Sequence, residues 1–159
     1  MKRSEGSAKM AGTTPDTPRA TPWHLWVVGG ASVFFYGVGA YDHAMALSEN
    51  ATYFRAQNYD SAQIRYFTDY PLAPAVFWTI GIWSTLLAAI LLLARSRRSV
   101  PAAATGLLGL LILAVLTFGF GDRWHTLGPQ PAVFDIGVLL LTTGLVVYCR
   151  GMKSRGVLR

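Results

Sequence analysis

Long apolar runs separated by short polar stretches set the pattern of this chain. The first extends from about Trp23 to Ser48 and stays uncharged until Asp42. The second covers 75–94 and stops at Arg95, and the third covers 100–121 and stops at Asp122-Arg123. The fourth, 132–149, carries Asp135 in its first turn and stops at Arg150. A helix rising 1.5 Å per residue needs about 20 apolar residues to cross about 30 Å of hydrocarbon. The second and third runs satisfy this alone, and the fourth stands at the lower limit. The first does so with Asp42 placed near the far headgroups. The pattern predicts an all-α fold, an integral-membrane four-helix bundle over 23–149 with its helices antiparallel.

The stretches outside the runs differ in character. Residues 1–22 mix Gly, Ser, Thr and Pro with both charge signs and show no periodicity, so a disordered tail is expected. A cleaved signal peptide is the rival reading of the first run. It is disfavoured because 22 charged and polar residues precede the run and no small-x-small cleavage site follows a short apolar core. The one sizeable loop, 49–74, is rich in Tyr and Phe. Within it Asp60-Ser-Ala-Gln63 reads as a capping box, the carboxylate accepting from first-turn amides while Gln63 reaches back. A short helix over Ser61–Thr68, ended by Tyr70-Pro71, is predicted to lie on the outer membrane surface or cap the bundle. An extended loop is the alternative. Asn50-Ala-Thr52 is a formal glycosylation sequon, a triplet common enough by chance to carry no weight.

Composition agrees with the pattern. Only 14% of residues are charged and 52% are apolar, against about 25% charged in soluble domains. A soluble enzyme is therefore excluded. Cys149 is the single cysteine, which excludes an intrachain disulfide and a two-cysteine redox motif. It lies beside Arg150, where acylation competes with a plain buried thiol.

The net charge of +6 would suit nucleic acid, but the basic positions argue otherwise. Lys2, Arg3, Lys9 and Arg19 precede the first run, and Arg95, Arg97 and Arg98 link the second and third. Arg150, Lys153, Arg155 and Arg159 form the basic C-terminal tail, 150–159. These are eleven of the fourteen Lys and Arg residues, and Arg55, Arg65 and Arg123 alone fall on the other side. Basic residues accumulate on the cytoplasmic face, so both termini are expected there. Trp23, Trp26 and Trp124 fall at the expected interfaces. The bilayer, not nucleic acid, is the partner this charge fits.

Helices in lipid associate through small residues. The first run offers Gly30, Gly37, Ala40 and Ala44 as a seam. The third offers Ala102, Gly106 and Gly109, and the fourth Gly137 and Gly144. Leu92 is expected to face lipid.

Candidate chemistry gathers at one end. Asp42, His43, Asp122, His125 and Asp135 are expected at similar depth, with Arg123 nearby. An ionisable group within the bilayer costs roughly 2.5–3.5 kcal/mol on insertion scales, and so takes a partner or a water-filled cavity. Asp42, His43, Arg123 and Asp135 form a candidate polar or solute site, with Arg123, His43 and His125 as expected partners for Asp42. His43, His125 and Asp42 are the candidate metal ligands, and two facing histidines would be needed for haem. The alternative is that these residues mark helix ends at headgroup depth. His24 is expected to anchor the opposite interface. No GxSxG, Walker, HExxH, CxxC or dinucleotide motif occurs, so no enzyme activity and no cofactor are expected.

The runs His24-Leu-Trp-Val-Val, Gly37-Val-Gly-Ala-Tyr-Asp42, Tyr66-Phe, Pro71 and Phe77-Trp-Thr-Ile-Gly-Ile-Trp83 carry a resemblance. Over about 23–159 the chain resembles a family of small four-span proteobacterial inner-membrane proteins often labelled "sugar transporter". That resemblance implies a multi-pass protein of the bacterial inner membrane and a solute carrier. Three functions follow for comparison. The first is a non-catalytic accessory, scaffold or partner-binding subunit, acting with another membrane protein or as a homo-oligomer. The second is a small-solute transporter working as an oligomer, with Trp78, Trp83 and Tyr36 as platforms and Thr79 and Ser84 as hydrogen-bonding groups. The third is a metal- or haem-binding membrane protein.

Overall fold

The computed structural model describes residues 21–120 and 128–159. These form helices and turns, with no strand among the described residues. In chain order they are α1 (Trp23–Leu47), α2 (Ala51–Ala56), α3 (Ser61–Thr68), α4 (Leu72–Leu93), α5 (Ser99–Gly119) and α6 (Pro129–Ser154). The tail expected over 1–22 lies outside the described residues up to residue 20. So do Asp122, Arg123, Trp124 and His125.

Three of the helices, α4, α5 and α6, are long and apolar enough to cross a membrane, with mean hydropathy of 2.0 to 2.2. At 22 residues α4 is about 33 Å long, matching a hydrocarbon core of about 30 Å. Helix α1 has 25 residues, but Asp42, two histidines and its tyrosines and glycines dilute its hydropathy, and it falls outside that class. Large side chains such as Phe34, Val115, Leu140 and Val147 are 62–76% exposed. A water-soluble protein rarely leaves such continuous apolar faces uncovered, whereas lipid solvates them freely.

Two boundaries differ from the sequence reading. Helix α4 begins at Leu72, because Pro71 supplies extended N-cap geometry. Helix α6 begins at Pro129 and continues to Ser154, since proline is tolerated in a first turn and nothing in Arg150-Gly-Met-Lys-Ser breaks a helix outright.

Helix α5 packs most extensively on α4, α4 on α1, and α6 on α5. The α4–α5 contact is backbone against backbone. A Cβ placed on Gly109 would stand 2.9 Å from the Gly81 nitrogen and 3.2 Å from the Phe77 carbonyl oxygen. One placed on Gly106 would stand 2.9 Å from the Thr85 nitrogen. Gly106 and Gly109 thus act as the sequence suggests, with Gly81 as their unforeseen counterpart.

Of the other expected seam positions, Ala40 is buried with Ile82 and Leu110, while the glycines are open. At Gly30, Gly37, Gly137 and Gly144 a Cβ would meet no atom within 4 Å. Gly29, rather than Gly30, faces a neighbour, the Leu93 side chain. Leu92 is fully buried, at 0% exposure, and not lipid-facing. Its side of α4 meets the core formed with Leu25, Ala103, Leu145 and Cys149. That core also buries the Cys149 thiol.

Helices α1 and α6 meet through long side chains. Tyr36 and Thr142 hydroxyls are 2.9 Å apart, His24 Nδ1 contacts the Tyr148 hydroxyl, and Phe35 lies beside Phe134. The Thr142 hydroxyl donates back to the Val138 carbonyl at 2.7 Å, so it accepts from Tyr36.

The C-terminal residues are also placed. Gly156, at φ 72°, ends α6 in a Schellman turn: Val157 N–H donates to the Met152 carbonyl and Gly156 N–H to that of Lys153. Val157 and Leu158 are then buried. Arg159 N–H donates to the Arg95 carbonyl (2.7 Å), and Arg97 N–H to the Arg159 carbonyl (2.9 Å). The end of the basic tail is pinned to the α4–α5 turn.

Candidate functional site

The end of the molecule opposite that turn carries the polar candidates, and local rules build it. Helix α1 closes in a Schellman turn with Glu49 left-handed at φ 52°, and α2 closes in the same way with Asn58 at φ 56°. Between them the Asn50 side chain caps α2, accepting from Tyr53 N–H at 2.9 Å. Asp60 then caps α3, accepting from Ala62 and Gln63 N–H at 2.8 Å. Gln63 Oε1 accepts from Asp60 N–H at 3.0 Å. The capping box read from sequence is present, on a helix with the expected limits.

These turns fold α2 and α3 back over α1 and α4. Phe54, Tyr59, Phe67, Tyr70 and Trp78 form a continuous set of ring contacts, with the Tyr59–Phe67 centroids 5.6 Å apart and nearly parallel. Trp78 then meets the His43 ring edge-on at 4.8 Å. Offset and edge-to-face pairs each add about 0.5–1.5 kcal/mol beyond their burial, so the cap is a packed element with its own small core.

Asp42 and His43 are adjacent, yet the helical twist of about 100° per residue sends them to different neighbours. The Asp42 carboxylate accepts a hydrogen bond from the Tyr53 hydroxyl on α2. His43 is 4% exposed and its Nε2 lies 3.0 Å from the Thr79 hydroxyl on α4. Thr79 gives its one hydrogen to the Ala75 carbonyl at 2.8 Å, so the imidazole donates from Nε2. In this neutral tautomer Nδ1 is an acceptor, and it is buried without a hydrogen-bond partner. A buried polar atom left unsatisfied costs about 1–3 kcal/mol.

Asp135 lines a small recess between α5 and α6 with Leu110, Leu113, Thr117 and Leu139. The structure therefore brings together Asp42 with Tyr53, and His43 with Thr79 and Trp78. Neither Asp42 nor His43 is the other's partner. Arg123 and His125 lie outside the described residues. Among the described residues no three His, Cys, Asp or Glu side chains converge as a metal set.

The chain matches no protein-family model, no curated protein and no solved structure. Tyr53 escapes sequence reasoning as the Asp42 partner because the two are joined through a helix–turn–helix that carries no periodic signal. Thr79 is among the hydrogen-bonding groups the sequence suggests, and its four-residue back-bond to Ala75 is the local feature that fixes the His43 tautomer. Of the suggested sugar platforms, Tyr36 lies with Thr142, away from Trp78 and Thr79 at His43.

Proposed function

We propose that this protein is a multi-pass subunit of the bacterial inner membrane, an antiparallel four-helix bundle with both termini cytoplasmic. It acts without catalysis, by binding another membrane protein or further copies of itself. The observation that carries this reading is the open space beside Gly30 and Gly37 on α1 and beside Gly137 and Gly144 on α6. Each pair repeats at seven residues, the spacing at which a neighbouring helix approaches closely in lipid. Within the protomer a Cβ at any of these glycines would meet no atom within 4 Å, and a second helix would use that space.

The hydrogen bonding of the helix interiors supports the same reading, and a cleft beside α3 lies outside the ring cluster over α1 and α4. The buried hydroxyls of Thr85, Thr117 and Thr142 donate to carbonyls of their own helices, and aromatic rings close the α2–α3 end. A transporter wants a hydrated path with polar groups near the midplane. The topology is tested by single cysteines at Ser61 and Ser96 after replacing Cys149. Impermeant reagent outside spheroplasts labels Ser61→Cys and spares Ser96→Cys, and the opposite pattern overturns the orientation. The assembly is tested by purification in mild detergent followed by mass spectrometry: a stoichiometric membrane partner or an oligomer supports the reading, and a lone protomer contradicts it.

A second reading, a small-solute transporter acting as an oligomer, is favoured by the orphaned His43 Nδ1 beside Trp78 and Trp83. Solute-dependent thermal stabilisation abolished by His43→Phe would support it.

A further inference from the structure

A cleft of about 800 Å³ opens between α3 and the end of α5, within the range of about 300–1,000 Å³ that small ligands occupy. Arg65 and Asp69 both line it, one helical turn apart, with Tyr66 beside them and Leu116 and Phe120 forming the opposite wall. Asp69 is the C-cap of α3, four residues past Arg65, where opposite charges are near enough to attract. Here neither side chain makes an ion pair or hydrogen bond among the described residues, and only their backbone groups are engaged. A separated cation and anion on one wall are complementary to a zwitterion of similar span.

The apolar wall narrows the class. Helix α5 is about 32 Å long and carries no charged residue, so its end comes to headgroup level when it crosses a bilayer. Phe120 is 86% exposed there. A water-soluble zwitterion would cover the charges and leave this wall bare, whereas a phospholipid would cover both. We propose that the cleft binds a phospholipid with a primary-amine headgroup. Its phosphate is held by Arg65 and Tyr66, its ammonium by Asp69, and its glycerol and upper acyl carbons lie along Leu116 and Phe120. The inference rests on α5 crossing the bilayer.

The test is thermal unfolding of the full chain in mild detergent with added phosphatidylethanolamine, phosphatidylglycerol of identical acyl chains, or soluble glycerophosphoethanolamine. Phosphatidylethanolamine should raise the melting temperature most. Asp69→Asn should reduce its effect to that of phosphatidylglycerol, and Arg65→Gln should weaken both lipids about tenfold, as loss of a charge-assisted bond does. Both residues are exposed, so these variants retain the fold. Equal shifts from the two lipids on the parent protein overturn the proposal. So does an ethanolamine preference surviving Asp69→Asn, or glycerophosphoethanolamine acting as strongly as the lipid. A chain that stays monodisperse without detergent overturns the membrane placement instead, a separate readout.

Discussion

The Tyr53 hydroxyl donates to the Asp42 carboxylate, fastening α2 to the last turns of α1. A hydrogen bond to a charged acceptor is worth about 1.5–3 kcal/mol. Tyr53→Phe keeps the ring contacts with Tyr41 and Phe54 and removes the bond alone. It should therefore lower stability by about that amount, and by less in an Asp42→Asn background, where the acceptor is no longer charged. Detergent-solution unfolding of both single variants and the double variant checks this. Additive losses would show that the two residues are not coupled.

Glycine substitutions should sort by position. Gly109→Leu forces a side chain into the Gly81 and Phe77 backbone, which cannot yield as a flexible side chain could, and should cost about 3 kcal/mol or prevent folding. Gly37→Leu enters open space and should leave protomer stability nearly unchanged. Leu92→Ala removes a fully buried side chain and should cost about 2–5 kcal/mol. Melting temperatures of the three variants test the ranking, and a Gly37→Leu protein as unstable as Gly109→Leu would refute it.

Thr79→Val removes the acceptor of the His43 Nε2–H and leaves both ring nitrogens buried without partners. The expected loss is about 1–3 kcal/mol. Thr79→Ser restores the hydroxyl and most of the stability. Equal losses for the two variants would mean that the Thr79 methyl, not its hydroxyl, matters at this site.

The left-handed residue Glu49 ends α1 in a turn that suits glycine. A non-glycine residue there costs about 1–2 kcal/mol, so Glu49→Gly should stabilise the chain by about 1 kcal/mol. The gain is reduced by the greater freedom of glycine in the unfolded chain. Chemical or thermal unfolding checks the sign, and a destabilised variant contradicts this account of the turn.

Features governed by short-range rules are legible from the chain. The α3 helix follows from Asp60 and Gln63 because both halves of a capping box lie within four residues. The α4–α5 contact is half legible, through Gly106 and Gly109, while Gly81 looks like one glycine among many. Gly37 is misread because a glycine in an apolar run looks like a packing contact whether or not a helix of the same protomer lies beside it, and here a Cβ would meet no atom within 4 Å. The Tyr53–Asp42 and His43–Thr79 pairs depend on how α2 and α4 return to α1, which no local pattern encodes. The buried Val157 and Leu158 are hidden for another reason: they follow a basic stretch that reads as solvated, and only the turn at Gly156 brings them back to the core.

We propose that the open glycine faces of α1 and α6 receive a second helix. Size-exclusion chromatography with light scattering, on protein extracted in mild detergent, tests it most directly. The parent protein should elute as an assembly, with itself or with a co-purified membrane protein. Gly30→Leu/Gly144→Leu should elute as a single protomer with an unchanged melting temperature. A parent chain that is already monomeric, or an assembly unaffected by both leucines, would contradict the account.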